Sequence, residues 1–127
     1  MDSVMHFEVV FDNKDRAKKF YQKTFGWQFM DIPGMDEYTM ITTAPSDDHG
    51  MSKEPGKING GMMAKDKDAN HPLLVITVDS IDATLKKVEA EGGKTVMPKV
   101  KTGDFGFYAR FKDSEGNVMG LWQAVVK

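Results

Sequence analysis

No cysteine occurs among the 127 residues, which removes disulfide scaffolds, thiolate metal sites and cysteine nucleophiles together. Histidine is almost as scarce, standing only at His6, His49 and His71, and so few imidazoles narrow any metal chemistry. No run approaches the roughly 18 apolar residues of a membrane-spanning helix. Neither sign of charge dominates: 17 Lys and Arg face 19 Asp and Glu, a formal net of −2. No general field therefore draws in nucleic acid or an anionic membrane, and neither is expected as a partner. The opening residues MDSVMHFEVVFDNKD lack the basic, apolar and small-residue order of a signal peptide, which with the missing cysteine gives a cytoplasmic expectation. What is present is ordinary for a globular domain, 40% hydrophobic and 28% charged, and enough chain for one core.

Residues 4–11 (VMHFEVVF) read as a strand whose Met5, Phe7, Val9 and Phe11 make one apolar face, with His6 and Glu8 on the other. A helix follows, with Asp12 as its N-cap, Ala17, Phe20, Tyr21 and Phe25 at helical spacing, and Gly26 as its stop. Strands at about 27–32 and 37–44 flank a PGMD turn, 45–57 is a polar loop, and 58–64 is a closing strand. The second half repeats this order. A strand at 73–79 precedes a helix that Asp79 or Ser80 caps and Gly92-Gly93 ends. Sliding the chain by 67 positions lays Asp12 on Asp79, Asp15 on Asp82, Lys19 on Lys86 and Gly26 on Gly93. A slide of 60 lays Gly60 on Gly120 and Ala64 on Ala124. The expected architecture is α+β, a single domain over 1–127 made of two βαβββ modules, 4–65 and 71–125. Eight strands would curl around one cleft, with the two helices outside.

The segment HFEVVFDNKDRAKKFYQKTFGWQF at 6–29 resembles the opening of the vicinal oxygen chelate superfamily, which contains glyoxalase I, bleomycin-resistance proteins and extradiol dioxygenases. VDSIDATLKKVEAEGGK resembles the start of that fold's second module, and FKDSEGNVMGLWQ its last hairpin. The resemblance implies the fold, a homodimer, and, in metal-dependent members, one divalent ion held by the first and last strands of each module. Carried over, those four positions fall on His6, Gly60, Leu73 and Gly120. Only His6 has a donor atom, whereas a catalytic zinc takes about three protein ligands. The resemblance thus implies the fold of glyoxalase I without its metal quartet, and no cofactor. The alternative is a rearranged site in which His6, Glu8 and His71 hold zinc, nickel or iron.

Glycine at 60 and 120 lets a ligand approach the backbone, and alternation puts Met62 with Gly60 and Trp122 with Gly120. In 105–112, Phe105, Phe107, Ala109 and Phe111 read as core, while Tyr108 and Arg110 offer a hydrogen bond and a charge to a bound anion. The expected ligand cleft is His6, Glu8, Gly60, Met62, Leu73, Tyr108, Arg110, Gly120 and Trp122, with His6 and Glu8 as catalytic candidates. It would bind a small organic molecule. The alternatives are a metal-dependent lyase, isomerase or dioxygenase around His6, and a protein that sequesters a drug or aromatic metabolite. Among these the sequence leaves the reaction open.

Overall fold

The computed structural model describes residues 1–32 and 35–125. They form two compact units, His6–Pro72 and Met1–Met5 with the chain from Leu73 onward. In chain order the elements are β1 (Ser3–Phe11), α1 (Lys14–Phe25), β2 (Gln28–Ile32), β3 (Met35–Thr42), β4 (Gly60–Ala64), β5 (Leu73–Thr77), α2 (Ile81–Ala90), β6 (Lys94–Thr102), β7 (Gly106–Lys112) and β8 (Val118–Ala124). Two βαβββ modules are therefore present. The PGMD turn expected between β2 and β3 has its Pro33 and Gly34 outside the described residues.

In the first module β4 runs parallel to β1 and antiparallel to β3, and β3 pairs with β2. In the second, β8 runs parallel to β5 and antiparallel to β7, and β7 pairs with β6. The two sheets have the same plan. Each helix packs on the apolar face its sheet presents. Val9, Ile41 and Met62 are buried in the first core, with Phe7, Phe11, Ala17, Tyr21, Trp27 and Phe29 against them. Val78, Ile81, Ala109, Phe111 and Leu121 fill the second, joined by Ile76, Leu85, Val88, Phe107 and Met119. Phe105 was expected with this face, but it precedes β7 and is exposed.

The helix boundaries show local chemistry at work. Asn13, rather than Asp12, caps α1: its side chain accepts from the Arg16 amide at 2.9 Å, while Asp12 pairs with Lys65. A short side-chain oxygen at that position satisfies an amide the first turn leaves open, and Asn serves as well as Asp. Gly26, at φ 75, closes the helix in the left-handed region. Ser80 does for α2 what Asn13 does for α1, one slide of 67 away. Each helix is also tied to the next strand by an ion pair, Lys14–Asp31 at 2.9 Å and Asp82–Lys99 at 2.7 Å. The charges are reversed between modules but the placement is kept.

The polar loop between β3 and β4 is organised by one buried side chain, Asn59. Its Oδ1 accepts from the Thr43 amide at 2.9 Å, and its Nδ2 donates to Ser46 Oγ at 2.6 Å and to the Gly50 carbonyl at 2.9 Å. Asp47 holds the loop's tip by accepting from the amides of His49 and Met51, and the Met51 bond is the main cause of its lowered pKa. Asn59→Ala removes three bonds from a buried position. At about 1 kcal/mol each, less what water restores, the expected loss is about 2 kcal/mol. Limited proteolysis should then cut first within 43–59; an unchanged cleavage pattern and melting temperature would refute this role.

Candidate functional site

The face of the first sheet away from α1 carries His6, Glu8 and Val10 on β1. Glu8 is fully buried there. His6 Nε2 lies 2.7 Å from Tyr38 Oη, with the two rings stacked at 19° and their centroids 6.4 Å apart. Burial lowers the His6 pKa to about 4, so the imidazole is neutral at pH 7.

Register decides which glycine belongs to this face. β4 pairs Gly60 with Phe7 and Gly61 with Glu8. A Cβ on Gly60 would meet the Phe7 carbonyl oxygen at 2.5 Å and its ring at 2.7 Å, on the α1 side. A Cβ on Gly61 would collide with the hydroxyl end of Tyr38. Gly60 and Met62 are therefore turned to the core, and Gly61 and Met63 take their place beside His6 and Glu8. This corrects the assignment made from the sequence, where the slide of 60 laid Gly60 on Gly120. In a strand an error of one residue exchanges the faces. Neither Tyr38 nor Gly61 was singled out from the sequence. The available signal was the glycine doublet opposite a strand containing a tyrosine.

In the second unit the face away from α2 carries Leu73, Val75, Tyr108, Arg110, Gly120 and Trp122, as alternation predicts. Arg110 is 4% exposed; its Nε donates to Tyr108 Oη at 2.9 Å and its guanidinium lies 5.4 Å from that ring's centroid. A Cβ on Gly120 would come 3.1 Å from Tyr108 Oη and 3.0 Å from a Val75 methyl. Gly106 in turn leaves room for the Trp122 ring. The two modules thus share a device that no periodicity revealed. Tyr38 lies opposite Met63, two residues past Gly61, and Tyr108 lies opposite Trp122, two residues past Gly120. In each module a third-strand tyrosine hydroxyl fills the space that a last-strand glycine leaves. One hydroxyl meets His6, the other Arg110.

These residues do not fit a divalent metal. Leu73 and both last-strand glycines offer no donor atom, tyrosine hydroxyls cover the glycines, and His6 Nε2 is engaged. The trio His6, Glu8 and His71 is not brought together either. His71 is exposed, its Nδ1 bonded to the Pro72 carbonyl at 2.8 Å, and the described residues hold no cluster of three potential ligands. Proline directly after His71 keeps that segment out of β5, whose first residue is Leu73. His49 is exposed in the loop.

Comparison with known proteins gives the same fold. CFP32 of Mycobacterium tuberculosis (strain CDC 1551 / Oshkosh), a protein carrying the name glyoxylase, is 33% identical over 117 residues. That match covers 88% of this chain but 42% of CFP32, so the chain spans about two fifths of that relative's length. A glyoxylase-like domain-containing protein of Didymella fabae is 31% identical over 126 residues, covering 90% of this chain and 88% of that one. Among solved structures, methylmalonyl-CoA epimerase from Mycobacterium tuberculosis superposes with a TM-score of 0.65 at 15% identity, covering 96% of this chain and 87% of the other. A hypothetical protein from Bacillus halodurans C-125 gives 0.66 at 11%, covering 99% and 96%. At such identities these likenesses speak for fold and not for reaction. The model of the Glyoxalase/Bleomycin resistance protein/Dioxygenase superfamily matches residues 3–121, and with its paired βαβββ modules the chain belongs to that superfamily.

Proposed function

We propose that this glyoxalase-like protein binds a small organic molecule on the face carrying His6, Glu8 and Tyr38, without a resident divalent metal. The observation that carries the reading is the tyrosine hydroxyl over each last-strand glycine, with the first hydroxyl bonded to His6 at 2.7 Å. Neutral donors and acceptors, a buried carboxyl group and apolar neighbours make a face suited to orienting an uncharged polar ligand. A cytoplasmic homodimer belongs to the same reading.

Protein dialysed against chelator and titrated with Ni²⁺, Zn²⁺ and Fe²⁺ is expected to take up no stoichiometric metal. Stoichiometric uptake abolished by His6→Ala would overturn the reading in favour of a metal-dependent lyase, isomerase or dioxygenase. A thermal-shift screen of thiol adducts, aromatic acids and antibiotics is expected to give stabilising ligands whose effect falls in Tyr38→Phe. Stabilisation by antibiotics alone would favour sequestration of a drug, and a flat screen would sink the binding proposal.

A further inference from the structure

A cavity of about 360 Å³ opens in the first unit where β1 passes into α1, and none of His6, Glu8 and Tyr38 lines it. Phe11, Ala17 and Tyr21, which pack against the first core, give it an apolar floor. Phe20 stands at its side, 57% exposed, and meets the Tyr21 ring at 86° with centroids 5.2 Å apart. The Tyr21 ring is itself stacked on Trp27 at 4.8 Å and 6°, which fixes its orientation. Two rings at right angles form a corner that offers a third ring a face and an edge, the contacts aromatic groups prefer. The charges on the cavity are unequal. Lys65 Nζ is paired with Asp12 at 2.9 Å, whereas the Arg16 guanidinium has no partner among the described residues. Arg16 lies one turn before Phe20 on the same side of α1, about 6 Å away at Cβ by helix geometry. The fold does not require this arrangement. The slide of 67 lays Arg16 on Ala83, Phe20 on Lys87 and Tyr21 on Val88, so the second module builds its helix without the guanidinium or the ring corner.

We propose that this cavity is a second ligand site, independent of the His6 face, which binds a small aromatic carboxylate. The Arg16 guanidinium takes the carboxylate through paired N–H···O bonds, and the Phe20–Tyr21 corner takes the ring. The anion's partner is the guanidinium and not the helix end, since the Asn13 side chain already accepts from the Arg16 amide. Size selects a small molecule. A volume of about 360 Å³ is at the small end of ligand clefts and suits one ring with a short acid arm. Asp12 sets a limit on affinity: Lys65 neutralises it, but its carboxylate still opposes a second anion beside it.

The probe is phenylacetate, titrated at low salt and followed by the protein's amide NMR signals, with an expected Kd of about 1 mM for so small a ligand. The signals that move should be those of Arg16, Phe20 and Lys65, and not those of His6 and Gly61. Phenylacetamide, which lacks the charge, should bind about 10-fold more weakly, and acetate, which lacks the ring, about 5-fold more weakly. Arg16→Gln and Phe20→Ala should reproduce those two losses from the protein's side. Asp12→Asn should tighten binding about 3-fold, a gain that damage to the fold cannot imitate, and α1 keeps its cap at Asn13. Tyr38→Phe should leave binding within about 2-fold, which separates this site from the His6 face. Binding that survives Arg16→Gln, or that moves only the signals around His6, overturns the second site. So does a wild type that takes up no phenylacetate, and the reading of the His6 face then stands or falls on its own test. Sedimentation at several protein concentrations covers a second copy of the chain as occupant. A dimer that Phe20→Ala dissolves and phenylacetate does not would make the corner a contact between copies and overturn the ligand site.

Discussion

Gly60→Ala is expected to destabilise the protein by about 3 kcal/mol, the upper part of the range for overpacking a closed site. The added methyl would meet the Phe7 carbonyl oxygen at 2.5 Å, and that oxygen belongs to the strand paired with β4. Backbone cannot swing aside as a side chain can. Either β1 and β4 separate, with loss of ladder hydrogen bonds, or Phe7 gives up its packing on Trp27, whose ring centroid is 5.4 Å away. For a chain of this size the loss amounts to a fall in melting temperature of about 10 °C. Gly61→Ala provides the contrast. The three atoms nearest its methyl all belong to the hydroxyl end of Tyr38, a side chain that can rotate, and the expected loss is smaller, about 1 kcal/mol. Thermal and urea unfolding of the two variants measures this directly. Equal losses, or a larger one at Gly61, would mean that the face assignment along β4 is wrong.

Acidification from pH 7 to pH 4 is the second large effect, and most of it should come from His6. The folded protein holds His6 neutral down to about pH 4, because burial disfavours the imidazolium, whereas an unfolded chain protonates it near 6.5. Between those values the unfolded state binds the extra proton, so stability is full above pH 6.5 and falls as the pH drops toward 4. The gap of roughly 2.5 units corresponds to about 3 kcal/mol, and this group adds no further loss below pH 4. Three carboxylates act lower still. Asp31 is held below its ordinary value by the Lys14 bond, Asp47 by the Met51 amide and Asp113 by Asn117, so their losses come at the acid end of the range. Urea unfolding at pH 7, 6, 5 and 4, on wild type and His6→Gln, separates the groups. The variant should lose the slope between pH 6.5 and 4; parallel curves for both proteins would show that His6 is not the source.

Both effects trace to the same few ångströms around β1 and β4, and they differ in how far the sequence announces them. His6 is legible from VMHFEVVF, because alternation alone sets it opposite the apolar Phe7 and Val9. The choice between Gly60 and Gly61 is not legible. A glycine has no side chain to mark its face, so its orientation follows only from the partner it pairs with, Phe7 or Glu8. Arg110 could be read as a surface cation or as a fixed charge. The structure makes it a buried one, clamped by the Tyr108 hydroxyl.

By itself the sequence determined the two helices and eight strands, their duplication and the superfamily. Those follow from spacing and residue type, which are local and survive any arrangement in space. Only the tertiary structure decided that Tyr38 meets His6 and Tyr108 meets Arg110, each over a glycine from another strand. Residues 32 apart in the chain come within 2.7 Å only because β4 lies between β1 and β3 and presents no side chain at position 61. A contact of that kind depends on strand register, and register is fixed by the fold as a whole rather than by any one segment.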